Sequence, residues 1–414
     1  MTETAPLRVL HIITRLIVGG AQENTILSVE GLDAMPEYEV TLVSGVDDGP
    51  EGDLLQRAGK TTNLVLVREM GFSINPFSDL IALWKLYRII RRGRYHIVHT
   101  HSSKAGVLGR IAAKLAGTPI IVHTLHAMVF YPGQPWLINR LWRLIKKIVA
   151  PMTDHFIGVC DAMNEQAIAA GIDKRPKFST IRSGMELDWF LKANVDRAAV
   201  RRELGIPEDA PVVGKIARFV GYKGHAEMFE AAPEIVRRVP NVRFLMVGDG
   251  PLLQKMRDRA REQGVLDHIV FAGLVPRERI PEMIAAMDVL AHTAHHEGLP
   301  RVLVQALAMG KPCVSFDRDG APEVVLPGQT GYLVPFGDTK TLADNIVTLL
   351  SDPKLREEMG ARGRTVVDPA YRAETMVRDI ADLYKALAER YRDRLAAFDS
   401  KGKVPATAAA RTSR

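Results

Sequence analysis

Two cysteines, Cys160 and Cys313, are all that the 414 residues contain. They lie at the ends of apolar, strand-like runs far apart in the chain, which reads as two buried free thiols rather than a disulfide framework. No CxxC and no HExxH occurs, so the common zinc and dithiol motifs are excluded. Long hydrophobic runs are missing too: Arg, Lys or His interrupts each one well before the roughly 20 residues a membrane span needs. The N-terminus lacks a signal-peptide pattern, so a cytoplasmic protein is expected. Acid is the most informative shortage. From Leu80 to Thr153 there is no Asp or Glu, against twelve Lys and Arg, so this one segment exceeds the net charge of the whole chain, +7, and the remainder is net acidic. A basic segment on an acidic remainder implies an anionic partner. No helix-turn-helix, zinc-finger or RNP motif accompanies the charge, so nucleic acid is not the expected one.

What is present fits a soluble globular protein, with 47% apolar and 25% charged residues. The length exceeds one ordinary core and points to two domains. In the first half, β-branched runs at Arg8 to Ile13, Glu39 to Ser44, Asn63 to Val67, His96 to Thr100, Ile120 to Thr124 and His155 to Val159 alternate with helical patterns near 21–32, 76–92, 104–116 and 135–150. The second half repeats this, with strands at Val212 to Ala217, Arg243 to Val247, Ile269 to Phe271, Val289 to His292 and Pro312 to Phe316 between helices near 224–238, 252–263, 277–286 and 300–309. Such alternation predicts an α/β protein of two doubly wound, Rossmann-like domains. Ligands of open α/β sheets bind at the carboxyl ends of the strands, so two such domains facing each other would form one cleft.

Two helical stretches inside the acid-free segment are amphipathic. One, Pro76 to Arg92, ends in Arg88, Arg91 and Arg92. The other, Pro135 to Ala150, gathers Leu137, Leu141, Leu144, Ile145 and Ile148 on one face, with Asn139, Arg143, Lys146 and Lys147 opposite and Trp136 and Trp142 near the boundary. That composition suits a helix lying on an anionic membrane. It equally suits a surface helix whose apolar face packs on its own domain.

Residues able to carry chemistry cluster after the strands. In His295-His296-Glu297-Gly298-Leu299-Pro300, a carboxylate precedes a helix start, where first-turn amides and the dipole favour a phosphate while Glu297 reaches a neighbouring hydroxyl; the bland alternative is a helix start after an acidic loop. His292, His295 and His296 fall in a loop, a poor spacing for a metal. Arg218 and Lys223 bracket a turn after a strand and can neutralise a diphosphate without a metal. Gly248 opens a glycine-rich turn whose backbone would approach a ligand closely, as do Gly19 and Gly20 at the start of a helix. His101 and His126 each sit just past a strand end, and Ser102, Ser103 and Lys104 lie at a helix start where an anionic acceptor could be cradled.

The block from Ala217 to Gly331, and the Gly19-Gly20 loop, resemble the retaining glycosyltransferases of family 4, whose signature is two glutamates eight positions apart; here the first is Glu297 and the second position holds Gln305. The resemblance covers nearly the whole chain. It implies a GT-B fold with an acceptor-binding domain at 1–185, a linker at 186–205, a nucleotide-sugar-binding domain at 206–370, a helix at 371–397 returning to the first domain and a disordered tail at 398–414. It also implies a metal-independent hexosyltransferase that uses no cofactor and takes its sugar from a nucleoside diphosphate donor, UDP-linked by preference. Arg218, Lys223, Gly248, Gly298 and Leu299 would bind the diphosphate, with Gly19 and Gly20 facing the transferring group. Gln305 would bind the ribose, a neutral amide replacing the carboxylate. Glu297 and His126 would touch the sugar near the reacting carbon, and His101, Ser102 and Lys104 the acceptor. The basic half favours a lipid-linked glycan acceptor, with the enzyme peripheral at the inner face of the plasma membrane. A nucleotide-sugar 2-epimerase, or a non-catalytic protein that binds sugar nucleotides or glycans, are the alternatives on the same architecture.

Overall fold

A computed structural model describes residues 5–46, 54–131 and 133–401. The chain divides into two units: Met1–Gly158, Ala167–Ile181 and Met376–Arg414 form the first, and Val159–Gln166 with Arg182–Thr375 the second.

The first unit is built on a parallel sheet of seven strands, β1 (Leu7–Ile13), β2 (Tyr38–Ser44), β3 (Asn63–Leu66), β4 (Ile97–His101), β5 (Ile120–Leu125), β6 (His155–Gly158) and β7 (Phe178–Thr180), in the order β3-β2-β1-β4-β5-β6-β7. Covering helices on a parallel sheet require apolar residues on both faces of its central strands, and β1, β4 and β5 are buried along nearly their whole length. Val9 of β1 lies opposite Val40 of β2 and Ile97 of β4. Leu10, Ile12, Val98 and Ile121 share a core with Ala82, Leu86 and Ile90 of the Pro76–Gly93 helix. That helix begins as its sequence dictates: Pro76 occupies the first turn and the Asn75 side chain accepts from the amides of Phe77 and Ser78.

The second unit repeats the plan with six parallel strands, β8 (Val212–Ile216), β9 (Arg243–Val247), β10 (Ile269–Gly273), β11 (Val289–His292), β12 (Cys313–Phe316) and β13 (Gly331–Val334), in the order β10-β9-β8-β11-β12-β13. Strand order reverses beside β1 in one sheet and beside β8 in the other. These are the switch points at which α/β sheets bind ligands.

The short strands β7 and β13, both at sheet edges, were not expected. Residues 186–205, expected as a linker, instead pack into the second unit: the buried Arg201 donates to the carbonyls of Ala286, Glu208 and Ala210 and to Asp288. A fully bonded guanidinium fixes that segment where glycine and polar residues had suggested freedom. The segment after residue 371 is helical over Ala373–Arg390 and Arg392–Ser400. In the first unit, Asn24 Nδ2 lies 2.9 Å from Met376 Sδ and Tyr38 donates to Ala381 O. Helix therefore extends through Ser400, three residues into the stretch expected as disordered, with the Arg94 guanidinium over the Phe398 ring; residues 402–414 of that tail lie outside the described residues.

Candidate active site

In the second unit the loops after β8 and β11 touch. Gly224 has φ +65°, and a Cβ there would lie 1.6 Å from the Thr293 carbonyl, so only glycine permits the contact. Thr293 Oγ1 donates to Gly224 O and accepts from Lys215 Nζ at 2.8 Å. The contact brings Lys223 against Glu297, with Nζ ion-paired to Oε1. The other carboxylate oxygen, Oε2, is buried, lies 3.0 Å from His292 Nε2 and receives no hydrogen bond. Asp319 holds the loop from below, accepting from Glu297 N at 2.7 Å and from Gln166 Nε2 at 2.8 Å, with His296 Nδ1 3.3 Å away. His295 bonds Glu227 at 2.7 Å. His292 at the end of β11 and His295 and His296 in the loop thus face three different acids, Glu297, Glu227 and Asp319, and do not converge on one point.

Around this pair the expected donor residues fall into place unevenly. Arg218 is exposed, its Nη2 donating to Tyr222 Oη at 2.8 Å. Gly248, at φ +135°, closes β9 onto Ala217, whose carbonyl a Cβ would meet at 2.2 Å. Gly298 accepts from Gly320 N at 3.0 Å, and Leu299 is buried. Pro300 is the cap, and the helix runs Arg301–Ala308. Gln305 is half-buried on it with no side-chain hydrogen bond among the described residues.

Burial, with the Arg218 guanidinium nearby, pushes the Lys223 ammonium down to about 7, against which the contact with Glu297 keeps it charged. Lys215, missed from the sequence although a lysine inside Val-Val-Gly-Lys-Ile is a signal, is pushed to about 7 by burial and by Lys223. His292 is held well below the usual range by burial and both lysines, and so is neutral. Three cations at the carboxyl ends of parallel strands, with one of the nearby carboxylates half-bonded, form a site suited to an anion carrying hydroxyls.

In the first unit, Gly19 is the extended cap and Gly20 the first residue of the Gly20–Asp33 helix. A cavity of about 740 Å³ opens at the ends of β1, β4 and β5, lined among others by Arg15, Phe72, Ser102, His126, Trp142 and Lys146. Behind His126 runs a hydrogen-bonded chain that the sequence did not reveal, though His99 and His101 two apart on a strand are a signal. His126 Nε2 meets His101 Nδ1 (3.0 Å), His101 Nε2 meets His11 Nδ1 (2.9 Å), and His11 Nε2 meets Tyr384 Oη (3.2 Å). Tyr384 Oη also meets His99 Nδ1 (2.6 Å), whose Nε2 reaches Thr124 Oγ1 (2.7 Å). Burial drives His11 to about 3 and holds His99 and His101 well below the usual range, so all three rings are neutral.

Two acceptor expectations change here. His101 is a link in that chain, 1% exposed, and does not line the cavity. Lys104 already has its charge met: Nζ donates to the carbonyls of Gly71 and Ser73 and pairs with Asp79 at 2.5 Å. Ser102 lines the cavity but ties the ends of β1 and β4 together through Thr14 Oγ1, 2.7 Å away. The Trp136–Val149 helix turns its apolar face outward, as a helix lying on a membrane would and not as one packed on its own domain. Leu137, Leu141, Leu144 and Ile148 are 54–63% exposed, while Lys146 is 5% exposed.

Two doubly wound sheets with their candidate residues at the strand ends place the chain among solved GT-B glycosyltransferases. Anabaena Alr3699/HepE in complex with UDP-glucose superposes with TM-score 0.77 at 21% identity, covering 92% of this chain and all of that one. WaaG, a glycosyltransferase of lipopolysaccharide biosynthesis, superposes with TM-score 0.70 at 18% identity over 91% of this chain and 99% of that one. Residues 19–177 match the glycosyl transferase 4-like domain, and residues 196–366 match glycosyl transferases group 1. The chain belongs to the group 1, family 4 glycosyltransferases of GT-B fold, and is a hexosyltransferase. Among its relatives, the Escherichia coli UDP-Gal:alpha-D-GlcNAc-diphosphoundecaprenol alpha-1,3-galactosyltransferase is 26% identical over 383 residues, 91% of this chain and 96% of that protein. A GDP-mannose-dependent alpha-(1-6)-phosphatidylinositol monomannoside mannosyltransferase of Mycolicibacterium smegmatis is 36% identical over 188 residues, 44% of this chain and 49% of that protein.

Proposed function

We propose that the enzyme transfers a sugar from a nucleoside diphosphate donor, UDP-linked by preference, to a lipid-linked glycan at an anionic membrane surface, with retention at the anomeric carbon and without a metal. The observation that carries the lipid half of this reading is the outward apolar face of the Trp136–Val149 helix. Exposed Leu and Ile side chains are tolerated where a bilayer covers them, and Arg140, Arg143 and Lys147 on the same helix suit anionic headgroups. No helix among the described residues is long and apolar enough to cross a membrane.

The donor half rests on Lys223, Arg218 and Glu297. The leaving group is a diphosphate, and two fixed cations at a strand end stabilise the charge that develops on it, the electrostatic contribution expected to dominate. Donor binding would exchange the Lys223–Glu297 pair for a Lys223–diphosphate pair and release the carboxylate to accept from sugar hydroxyls. Sugar hydroxyls donating to Oε1 and to Oε2, which lacks a donor in the structure, would offset the loss of the ion pair. The Gln305 amide would meet the ribose. The released Glu297 carboxylate would be engaged by sugar hydroxyls, and retention would follow from front-face attack assisted by the leaving phosphate. UDP is favoured over GDP by the E. coli relative, which is named for UDP-Gal and covers most of both chains.

Sedimentation with vesicles tests the membrane reading. Binding to phosphatidylglycerol-containing vesicles in low salt, and its absence with phosphatidylcholine alone, is the expected result; no binding to either would overturn it. The donor reading is tested by incubating the enzyme with UDP-sugars and a polyprenyl-diphosphate glycan and determining the anomeric configuration of the product, where an inverted linkage would refute retention.

A further inference from the structure

Two buried cations of the first unit have no counter-charge among the described residues. Arg110 is fully buried; its Nε donates to Gly106 O at 2.5 Å and its Nη1 to Thr153 Oγ1 at 3.0 Å, while Nη2 has no partner. Lys146 is 5% exposed and has neither a hydrogen bond nor an ion pair among the described residues. Both lie in the stretch that contains no acid. The acids that flank it are already engaged: Asp79 pairs with Lys104, and Asp154 accepts from Ile121 N and pairs with Arg394. Desolvation, reinforced by Arg110, drives Lys146 down to about 7. A buried charge is retained at such a cost only where something compensates it, and no acid among the described residues of the unit pairs with either cation.

The surroundings say what the missing group is. Lys146 lines the 740 Å³ cavity, and the N-terminus of the Ser103–Ala116 helix enters the same cavity through Ser102 and Ser103. First-turn amides and a helix dipole favour an anion, above all a phosphate. The remaining wall is apolar, with Phe72, Ile74, Met128 and Trp142 among its residues. Phe72 and Ile74 are also 66% and 71% exposed, so the apolar wall continues onto the surface.

We infer that this cavity binds a phosphate-bearing amphiphile, its phosphate between Lys146 and the first turn of the Ser103–Ala116 helix and its chain along Phe72, Ile74 and Trp142. The site rests on the reading that the acceptor is lipid-linked, and it assigns the recognition of that acceptor's phosphate to Lys146 in place of Lys104. Arg110 sits behind and adds field without contact.

The test uses the full chain, with dodecyl phosphate below its micellar concentration as the probe, followed by Trp142 fluorescence and by calorimetry. Saturable binding is expected, tenfold or more weaker in Lys146→Met and largely kept in Lys146→Arg, with dodecyl maltoside and inorganic phosphate each binding far more weakly. Equal binding by Lys146→Met and wild type, or equal binding of the phosphate and the maltoside, would overturn the site. Short-chain phosphatidylglycerol binding more tightly than dodecyl phosphate would overturn its assignment to the acceptor and give it to the bilayer headgroup.

Stability supplies a second readout. Removing an unpaired buried charge should raise the melting temperature of Lys146→Met while leaving UDP binding unchanged; a lowered melting temperature would mean that Lys146 has a partner inside the protein and would refute the inference. Transfer assays separate the two readings. If the polyprenyl-diphosphate glycan is a substrate and Lys146→Met leaves its KM unchanged, the site is wrong and the function stands. If dodecyl phosphate binds through Lys146 and no lipid-linked glycan is glycosylated, the function is wrong and the site stands.

Discussion

Lys223 and Glu297 neutralise each other in the structure, and substituting each should have opposite effects on nucleotide binding. Lys223→Ala removes a charge-assisted contact to the diphosphate, worth about 1.5–3 kcal/mol, so UDP affinity should drop roughly tenfold to a hundredfold. Glu297→Ala frees Lys223 and removes a negative neighbour; UDP should bind as well or better while kcat collapses. Calorimetry with UDP beside a transfer assay reads both, and weakened UDP binding in Glu297→Ala would contradict the exchange of partners. The histidine chain gives a second test. Each neutral ring has one donor and one acceptor nitrogen, so the hydroxyl of Tyr384, which can donate only once, sets the sense of the bonds on either side of it. Tyr384→Phe should lower kcat several-fold with little change in KM and should alter the ¹⁵N shifts of His126, the signature of a changed tautomer; unchanged shifts would confine Tyr384 to packing. Of these residues, Glu297, Arg218, Lys223 and His126 were legible because each follows a strand end in a local motif. His11 and Tyr384 were not, because 373 positions separate partners that only the folded sheet brings together.

At the scale of elements, the Trp136–Val149 helix carries the clearest expectation. Fully burying a Leu or Ile contributes about 1.5–3 kcal/mol, so Leu141→Ser with Leu144→Ser should remove about 3 kcal/mol of membrane affinity, roughly a hundredfold, with little loss of stability, since both side chains are more than half exposed. Sedimentation and thermal unfolding measure the two quantities; a fall in melting temperature with unchanged vesicle binding would mean the face is part of the core. The sequence pattern located this helix to within a residue but left its orientation open. Periodicity shows that two faces differ, not which of them the rest of the chain covers, and Lys146 turned inward because a cavity receives it. Strands read well for the converse reason: a parallel strand is apolar on both faces, so its burial is written in consecutive residues.

For the molecule as a whole, the shifted groups set the direction in which stability follows pH. Burial holds Lys146, Lys215 and Lys223 near 7 and Lys311 near 8, against 10.5 in an unfolded chain. Between those values the unfolded state binds more protons than the folded one, so stability rises with pH, by up to about 1.4 kcal/mol per pH unit for each lysine; Lys223, held against Glu297, should contribute least. His11 and His225 near 3 and His155 near 4 act with the same sign up to about 6.5, because the unfolded chain protonates there and the folded one does not. Above 9 two thiols oppose the four lysines and slow the rise. Burial pushes the Cys160 thiol to about 12 and the Cys313 thiol further still, so only the unfolded chain releases those protons. Denaturant midpoints should therefore climb from pH 6 to about 9, more slowly above 9, and decline only beyond about 10.5, each unit's transition being followed by itself, since a chain of two units need not unfold in one step. Lys146→Met should flatten the climb above pH 7 in the first unit alone. Midpoints that fall between pH 7 and 8.5 would mean that these lysines are paired in solution, with the anion that Lys146 awaits already bound.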